Sequence, residues 1–180
     1  MQLWEADIVA AKAHEGQTDK NGVPYIEHVR AVAAGLSLFA VPIQVAGVLH
    51  DVVEDTDETL ESLASIGVSG YSLNIIDAVT KVPGSTKREQ IERVIAGGYP
   101  AMLVKTSDNA HNSLPDRLKH LDEPTRARLE AKYREARLMM WPHLHGGDIQ
   151  AILEIVNPSL LPELKALKPE WAGGVQWTAG

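Results

Sequence analysis

Pro42-Ile43-Gln44-Val45-Ala46-Gly47-Val48-Leu49-His50-Asp51-Val52-Val53-Glu54-Asp55 decides the fold. Pro42 opens a helix at its first position, where a missing N–H costs nothing. The helix runs on through Ile43, Val45, Ala46, Val48, Leu49, Val52 and Val53, a helical spacing and not an alternating one. Punctuation of the same kind recurs in both directions from this stretch. Leu3 to Ala13 mixes apolar and polar residues at helical spacing, and His14 to Val23, with Gly16, Asn21 and Gly22, reads as a loop. Pro24 opens a second helix that reaches about Leu36. Thr59 to Ile66 is a short helix ended by Gly67, and Ser72 to Val82 carries Leu73, Ile76 and Val79 on one face. Thr86-Lys87-Arg88-Glu89 has the spacing of a capping box and begins a helix that stops at Gly97-Gly98. Pro100 opens the next, with Met102, Leu103 and Val104 in its first turns. Glu123-Pro124 starts a long helix toward Leu144, which Pro142 should kink or end early. Asp148 to Val156 is a last short helix. No stretch alternates strictly for five residues between turn residues, so the expected fold is all-α and globular.

The chain has 180 residues, 44% of them hydrophobic, enough for one sizeable core and better suited to one domain than two. The expected domain covers residues 1–157. Residues 158–180 read as a C-terminal tail that is rich in Pro and Trp and loose at Gly173-Gly174. Trp171 and Trp177 are expected to pin that tail to the body or to meet another subunit in a homo-oligomer. No apolar run approaches the roughly 20 residues that a membrane span needs. Met1 to Lys12 lacks the basic start and apolar stretch of a signal peptide. With no cysteine, disulfides, thiolate metal sites and a Cys nucleophile are excluded. Any metal must then be held by His, Asp and Glu. A cytoplasmic location fits this composition. The net charge of −7, without a basic stripe, argues against long nucleic acids as partners. A small anionic substrate remains open, because a local cluster of Lys and a metal can overcome a negative average.

The chemistry concentrates in three places. In His50-Asp51-Val52-Val53-Glu54-Asp55 four ionisable residues fall in six positions. On a helix His50 and Glu54 share a face, as do Asp51 and Asp55. His50 and Asp51 stand about 100° apart around the axis, so both can reach one metal between them. Glu54, one turn on, comes within reach of a water bound there. Read as a solvated acidic helix end, the same residues would oppose the helix dipole. His28 lies one turn into an apolar helix, where a lone His is more often a satisfied core residue. Asp108, after Met102-Leu103-Val104, would be costly to bury unpaired, and it shares a helix face with Asn112. An N-cap or turn at Ser107-Asp108-Asn109 is the competing reading.

The order His28, His50-Asp51, Asp108 resembles the His…His-Asp…Asp signature of the HD superfamily. The surrounding residues are similar to the hydrolase domain of the RelA/SpoT type and its small single-domain relatives. These are His14-Glu15-Gly16-Gln17, Lys20, Gly22, Pro24-Tyr25-Ile26-Glu27-His28, Val48 to Thr56, Val79-Thr80-Lys81, and Val104-Lys105 with Asp108 and His111-Asn112. The resemblance covers about residues 5–140. It implies a helical HD fold with His28, His50, Asp51 and Asp108 binding one divalent metal, typically Mn²⁺. It implies catalytic roles for Glu54 and Asp55, and nucleotide contacts from Lys20 and Asn112. It implies removal of the 3′-pyrophosphate of guanosine tetra- or pentaphosphate. Two positions depart from the pattern. Asp19 precedes Lys20, where the family usually has an Arg that packs on guanine, and Asn109 follows Asp108, where Arg or Lys is frequent. Lys105, Arg117, Arg128 and Lys132 are the candidates for the missing charge.

Gly98-Tyr99-Pro100 spells the GYP of cyclic-dinucleotide phosphodiesterases, but Ile95-Ala96-Gly97 before it offers no further ligand, so it reads as a helix stop and a Pro start. His143 and His145 near a helix C-terminus favour the dipole more than a second metal. Beside the alarmone hydrolase stand three alternatives: the same chemistry on another nucleotide, a nucleotide-binding module without turnover, and a purely structural helical domain.

Overall fold

The computed structural model describes residues 1–169, so Trp171, Gly173-Gly174 and Trp177 lie outside the described residues. Among the described residues twelve α-helices follow one another: α1 Leu3–Ala13, α2 Ile26–Gly35, α3 Val41–Leu49, α4 Val52–Asp55, α5 Leu60–Ser65, α6 Gly70–Val79, α7 Lys87–Ala96, α8 Tyr99–Asn112, α9 Pro115–Leu118, α10 Glu123–Met140, α11 Gly146–Val156 and α12 Leu161–Leu167. Among the described residues there is no strand, only one isolated antiparallel bridge between Thr18 and Pro24. That bridge holds Pro24 extended, which is why the second helix begins at Ile26 and not at the proline.

The hydrophobic pattern explains the arrangement. In α3, Ile43 and Val45 through Leu49 are all buried, and α1, α2, α6 and α8 surround it. A helix that is apolar on every side has no face for water and becomes the centre of the core. The second central helix, α8, buries Ala101 to Val104 and then four polar residues, Thr106, Ser107, Asp108 and Asn109. Polar groups are costly there unless bonded. Ser107 Oγ donates to the Val32 carbonyl at 2.8 Å, and Asn109 Nδ2 donates to the Tyr133 carbonyl at 3.1 Å. Gly35 closes α2 where it meets α8 and α11; a methyl group there would collide with Ser107 Oγ and Val156 Cγ2. Its missing side chain is what lets α2 lie directly against α8.

Local chemistry sets the helix ends. Thr86 and Glu89 form the expected capping box, Glu89 N donating to Thr86 Oγ1 at 3.2 Å and Thr86 N to Glu89 Oε2 at 2.7 Å. Gly98, at φ +87°, turns the chain between α7 and α8 in a conformation that L side chains avoid. Pro142 ends α10 in a single 3₁₀ turn, Trp141–His143, with Trp141 fully buried. Residues 158–167, read from sequence as the start of a tail, form a 3₁₀ turn and α12, which packs on α11 and buries Leu164. Arg137 of α10, itself buried, donates through Nη2 to Glu163 Oε2 of α12 at 2.7 Å and through Nη1 to Asn109 Oδ1 of α8 at 2.9 Å.

The stretch from Pro42 to Asp55 differs from the expected single helix in one respect. It is two helices and not one, with His50 and Asp51 in the turn between α3 and α4. His50 Nδ1 takes the Gly47 carbonyl at 2.8 Å, the acceptor that the Asp51 N–H would use in an unbroken helix. The ladder resumes with Asp55 N donating to Asp51 O at 2.9 Å.

Candidate metal centre

Three separate elements bring the four HD-type residues together. His28 comes from the first turn of α2, His50 and Asp51 from the break after α3, and Asp108 from the buried second half of α8. His28 Nε2 lies 3.4 Å from both Asp51 Oδ2 and Asp108 Oδ1. His50 Nε2 lies 3.1 Å from Asp51 Oδ2 and 3.7 Å from Asp108 Oδ1. Both imidazoles are only 2% exposed, so solvent does little to separate these groups.

The convergence leaves one atom unexplained by the protein alone. His50 Nε2 is buried and has no hydrogen-bond partner, while its Nδ1 is committed to the Gly47 carbonyl. A neutral imidazole fixed in that way presents a lone pair into the cluster of carboxylate oxygens. Donor atoms about 2.1 Å from a shared cation stand roughly 3.0–3.4 Å from one another, close to the spacings found. His28, His50 and Asp51 thus form a group able to hold a metal ion, and Asp108 Oδ1 faces both imidazoles.

The two carboxylates draw positive charge into the cluster, whether a proton on an imidazole or a cation between the donors. Burial alone would lower His50, but the neighbouring Asp51 and Asp108 carboxylates outweigh it and push the ring up to about 10. His28 is raised by the same two carboxylates, again against burial. Burial would raise Asp108, yet Lys105, whose Nζ is 2.8 Å from Oδ2, and the two imidazoles hold it well below the usual carboxylate range. Burial raises Asp55, and the charge of Asp51 adds to it.

An outer layer fixes these groups. Tyr25 OH donates to Asp51 Oδ2 at 2.7 Å, and Asn112 Nδ2 donates to Asp108 Oδ1 at 2.5 Å. His28 Nδ1 stands 2.7 Å from His111 Nδ1. His14 packs its ring 5.0 Å from Tyr25 and is bonded to Gln17, whose Nε2 donates to the Asp55 carbonyl at 3.0 Å.

Beside the cluster the surface opens into a cationic cleft. One part is lined by Asp108, Asn112, Lys87, Lys105, Lys132 and Tyr133. The next holds Glu54, Lys81 and again Lys87, Lys105 and Lys132. Glu54 Oε2 accepts the Lys81 N–H at 3.0 Å, which aims its carboxylate into this recess. Burial lowers Lys132, and the charges of Lys105 and Lys87 lower it further, as expected of cations gathered without enough anion. On the other side, Lys20 lines a recess with Asp19, Arg117, Asn112 and Tyr133.

The site residues named from sequence stand in different settings. Lys105 is bound to Asp108, and Lys132 lines the cleft, whereas Arg117 Nη1 is tied to Asp19 Oδ2 at 3.0 Å. Asn109 is buried against Arg137. Sequence reasoning gave no role to Tyr25 or His111, although both stand inside quoted motifs. Lys81, although quoted within Val79-Thr80-Lys81, was given no site role, and Lys87 escaped notice because nothing in its local pattern sets it apart from a surface lysine.

A family profile described as HD domain matches residues 6–112, which include all four clustered residues. The chain belongs to the HD domain family. HD hydrolases use a divalent metal, in keeping with the donor set above. Among named relatives, this chain is similar to a Mus musculus guanosine-3′,5′-bis(diphosphate) 3′-pyrophosphohydrolase MESH1, 36% identical over 120 residues, which are 62% of this chain and 67% of that one. It is also similar to a Myxococcus xanthus GTP pyrophosphokinase, 33% identical over 143 residues, 71% of this chain but only 18% of that longer protein. A solved structure of a metazoan SpoT ortholog, described as hydrolysing ppGpp, superposes with a TM-score of 0.73 and 22% identity, covering 92% of this chain and 94% of that one. The HD-type helical fold thus holds over nearly the whole chain. No described helix is long and apolar enough to cross a membrane.

Proposed function

We propose that this HD-family chain hydrolyses the 3′-pyrophosphate ester of guanosine tetraphosphate, with Mn²⁺ as its metal and the cytoplasm as its place of action. The observation that carries the reading is the junction of two structures. The cluster of His28, His50, Asp51 and Asp108 opens onto a cleft lined by Lys81, Lys87, Lys105 and Lys132. Two imidazoles and two carboxylates suit Mn²⁺, Fe²⁺ or Zn²⁺ better than Ca²⁺. A bound divalent ion supplies Lewis acidity and lowers the pKa of water toward neutrality.

The remaining work falls to the chain. Glu54, held by the Lys81 N–H, accepts a proton from the attacking water. Water oxygen bonds to the phosphorus attached to the 3′-oxygen, that P–O bond breaks, and the 3′-oxygen takes up a proton from solvent. The lysines bind the pyrophosphate oxygens and stabilise the charge that builds on them. Asp55, close enough to Asp51 to feel its charge and bonded by Gln17 through its carbonyl, serves as the second catalytic carboxylate. Lys20 and Asn112 contact the nucleoside side of the substrate, where both line one recess.

A second reading, the same chemistry on a different phosphorylated nucleotide, is favoured by the pairing of Asp19 with Arg117, which gives the base side its own charge pattern. Pyrophosphate and phosphate release from a panel of guanosine tetraphosphate, common nucleotides and NADPH, with Mn²⁺ present, separates the two. Pyrophosphate from guanosine tetraphosphate alone supports the first reading; turnover of another nucleotide in its place replaces it with the second.

A further inference from the structure

The environment of His28 singles out His111. The two Nδ1 atoms are 2.7 Å apart, and the rings are tilted by 42° with centroids 4.9 Å apart. Two ring nitrogens at that distance share one hydrogen, so one ring donates and the other accepts. His28 Nε2 faces Asp51 Oδ2 and Asp108 Oδ1, each at 3.4 Å. To hold a cation there, Nε2 must offer its lone pair, and the proton of the neutral ring must sit on Nδ1. The only partner in the described structure for that N–H is His111 Nδ1.

The other imidazole of the cluster is built to the same plan, with the Gly47 carbonyl accepting from His50 Nδ1 at 2.8 Å. Metal-bound histidines generally carry a carboxylate, carbonyl or water at this position. Here one of the two has an imidazole in its place. His111 lies one turn after Asp108 on α8, and Asn112, which holds Asp108, follows it. One helix face thus delivers a ligand, the group that orients that ligand, and the group that orients a ligand of α2.

We infer that His111 is a positioning residue. It accepts the Nδ1 hydrogen of His28, fixes the tautomer that leaves Nε2 free, and sets the ring's angle toward the metal. This inference rests on the metal-centre reading above. It does not depend on which nucleotide is hydrolysed.

Two variants test it by calorimetric titration of the metal-free full chain with Mn²⁺. Asn at position 111 places its side-chain oxygen near the site of Nδ1 and keeps an acceptor; Leu fills similar space without one. We expect His111→Leu to bind Mn²⁺ about 10–100-fold more weakly, and His111→Asn to stay within a few-fold of the wild type. Thermal melts of the metal-free variants show whether both fold. Equal affinity in all three proteins overturns the inference, as does an equal loss in both variants, which would mark a packing role. If the wild type itself binds no Mn²⁺, the metal-centre reading fails and takes this inference with it. If it binds one ion and His111→Leu matches it, only the role of His111 fails.

Discussion

Gly35→Ala is a small change with consequences that can be worked from the packing. Gly35 ends α2, the helix that carries His28, and it lies where α2 meets α8 and α11. An added methyl group would overlap Ser107 Oγ and Val156 Cγ2. Both neighbours are held: Ser107 is fully buried and bonded to the Val32 carbonyl at 2.8 Å, and Val156 is 8% exposed within the core. Neither can swing away, so the helices must part by something on the order of 1 Å to restore ordinary contact. Overpacking of this kind costs about 1–3 kcal/mol, and loosening the Ser107 bond about 1 more. Against that stands the better helix propensity of Ala, about 1 kcal/mol. The net loss is roughly 1–3 kcal/mol, which lowers Tm by about 3–10 °C in a chain of this length. The same displacement moves His28 relative to Asp108, now 3.4 Å apart, so Mn²⁺ affinity should fall several-fold. Thermal melting of the metal-free protein and calorimetric Mn²⁺ titration measure the two effects. Gly70→Ala, at the start of α6 with no atom within 4 Å of the added carbon, should leave Mn²⁺ affinity unchanged and Tm equal or slightly higher. A Gly35→Ala protein that melts at or above the wild type with unaltered Mn²⁺ affinity would refute the reasoning.

Three other substitutions address separate parts of the account. Glu54→Gln should keep Mn²⁺ affinity and lose about 10²–10⁴ in kcat; retention of the wild-type rate would remove Glu54 as proton acceptor. Lys132→Ala should raise KM about 10-fold or more, since it deletes a charged partner of the phosphates, with Mn²⁺ binding untouched; an unchanged KM would take Lys132 out of the substrate site. Arg137→Ala strands Glu163 and Asn109 Oδ1 beside a buried space, which costs about 3–5 kcal/mol, and a drop in Tm below about 3 °C would show that α12 contributes little to the fold.

Much of the fold was legible because its punctuation is local. Pro42, Pro100 and Pro124 open helices, Thr86 with Glu89 caps one, and Pro142 ends α10, each within a few residues of the signal. The break at His50-Asp51 was not legible. It depends on a side chain competing for a backbone acceptor, and no spacing rule carries that information. The docking of α12 was hidden for a similar reason, since its anchor is an ion pair between Glu163 and Arg137 across 26 positions. At the site, His28, His50-Asp51 and Asp108 stood out through their order along the chain. Of the cleft lysines, Lys105 and Lys132 were named as candidate charges, but Lys81 and Lys87 were not, and only the packing of the α6–α7 loop, α7, α8 and α10 brings the four together. Tyr25 and His111 were visible as letters but not as roles, which are defined by distances of 2.7 Å to Asp51 and His28.

The central claim is that one metal, held by His28, His50, Asp51 and Asp108, drives pyrophosphate release. The most direct test is to titrate metal-free protein with Mn²⁺ while measuring both bound metal and pyrophosphate release from guanosine tetraphosphate. The expected result is turnover that rises in step with occupancy and levels off at one ion per chain, with Asp51→Ala binding no ion and releasing nothing. Turnover in the metal-free protein, or full turnover in Asp51→Ala, would contradict it.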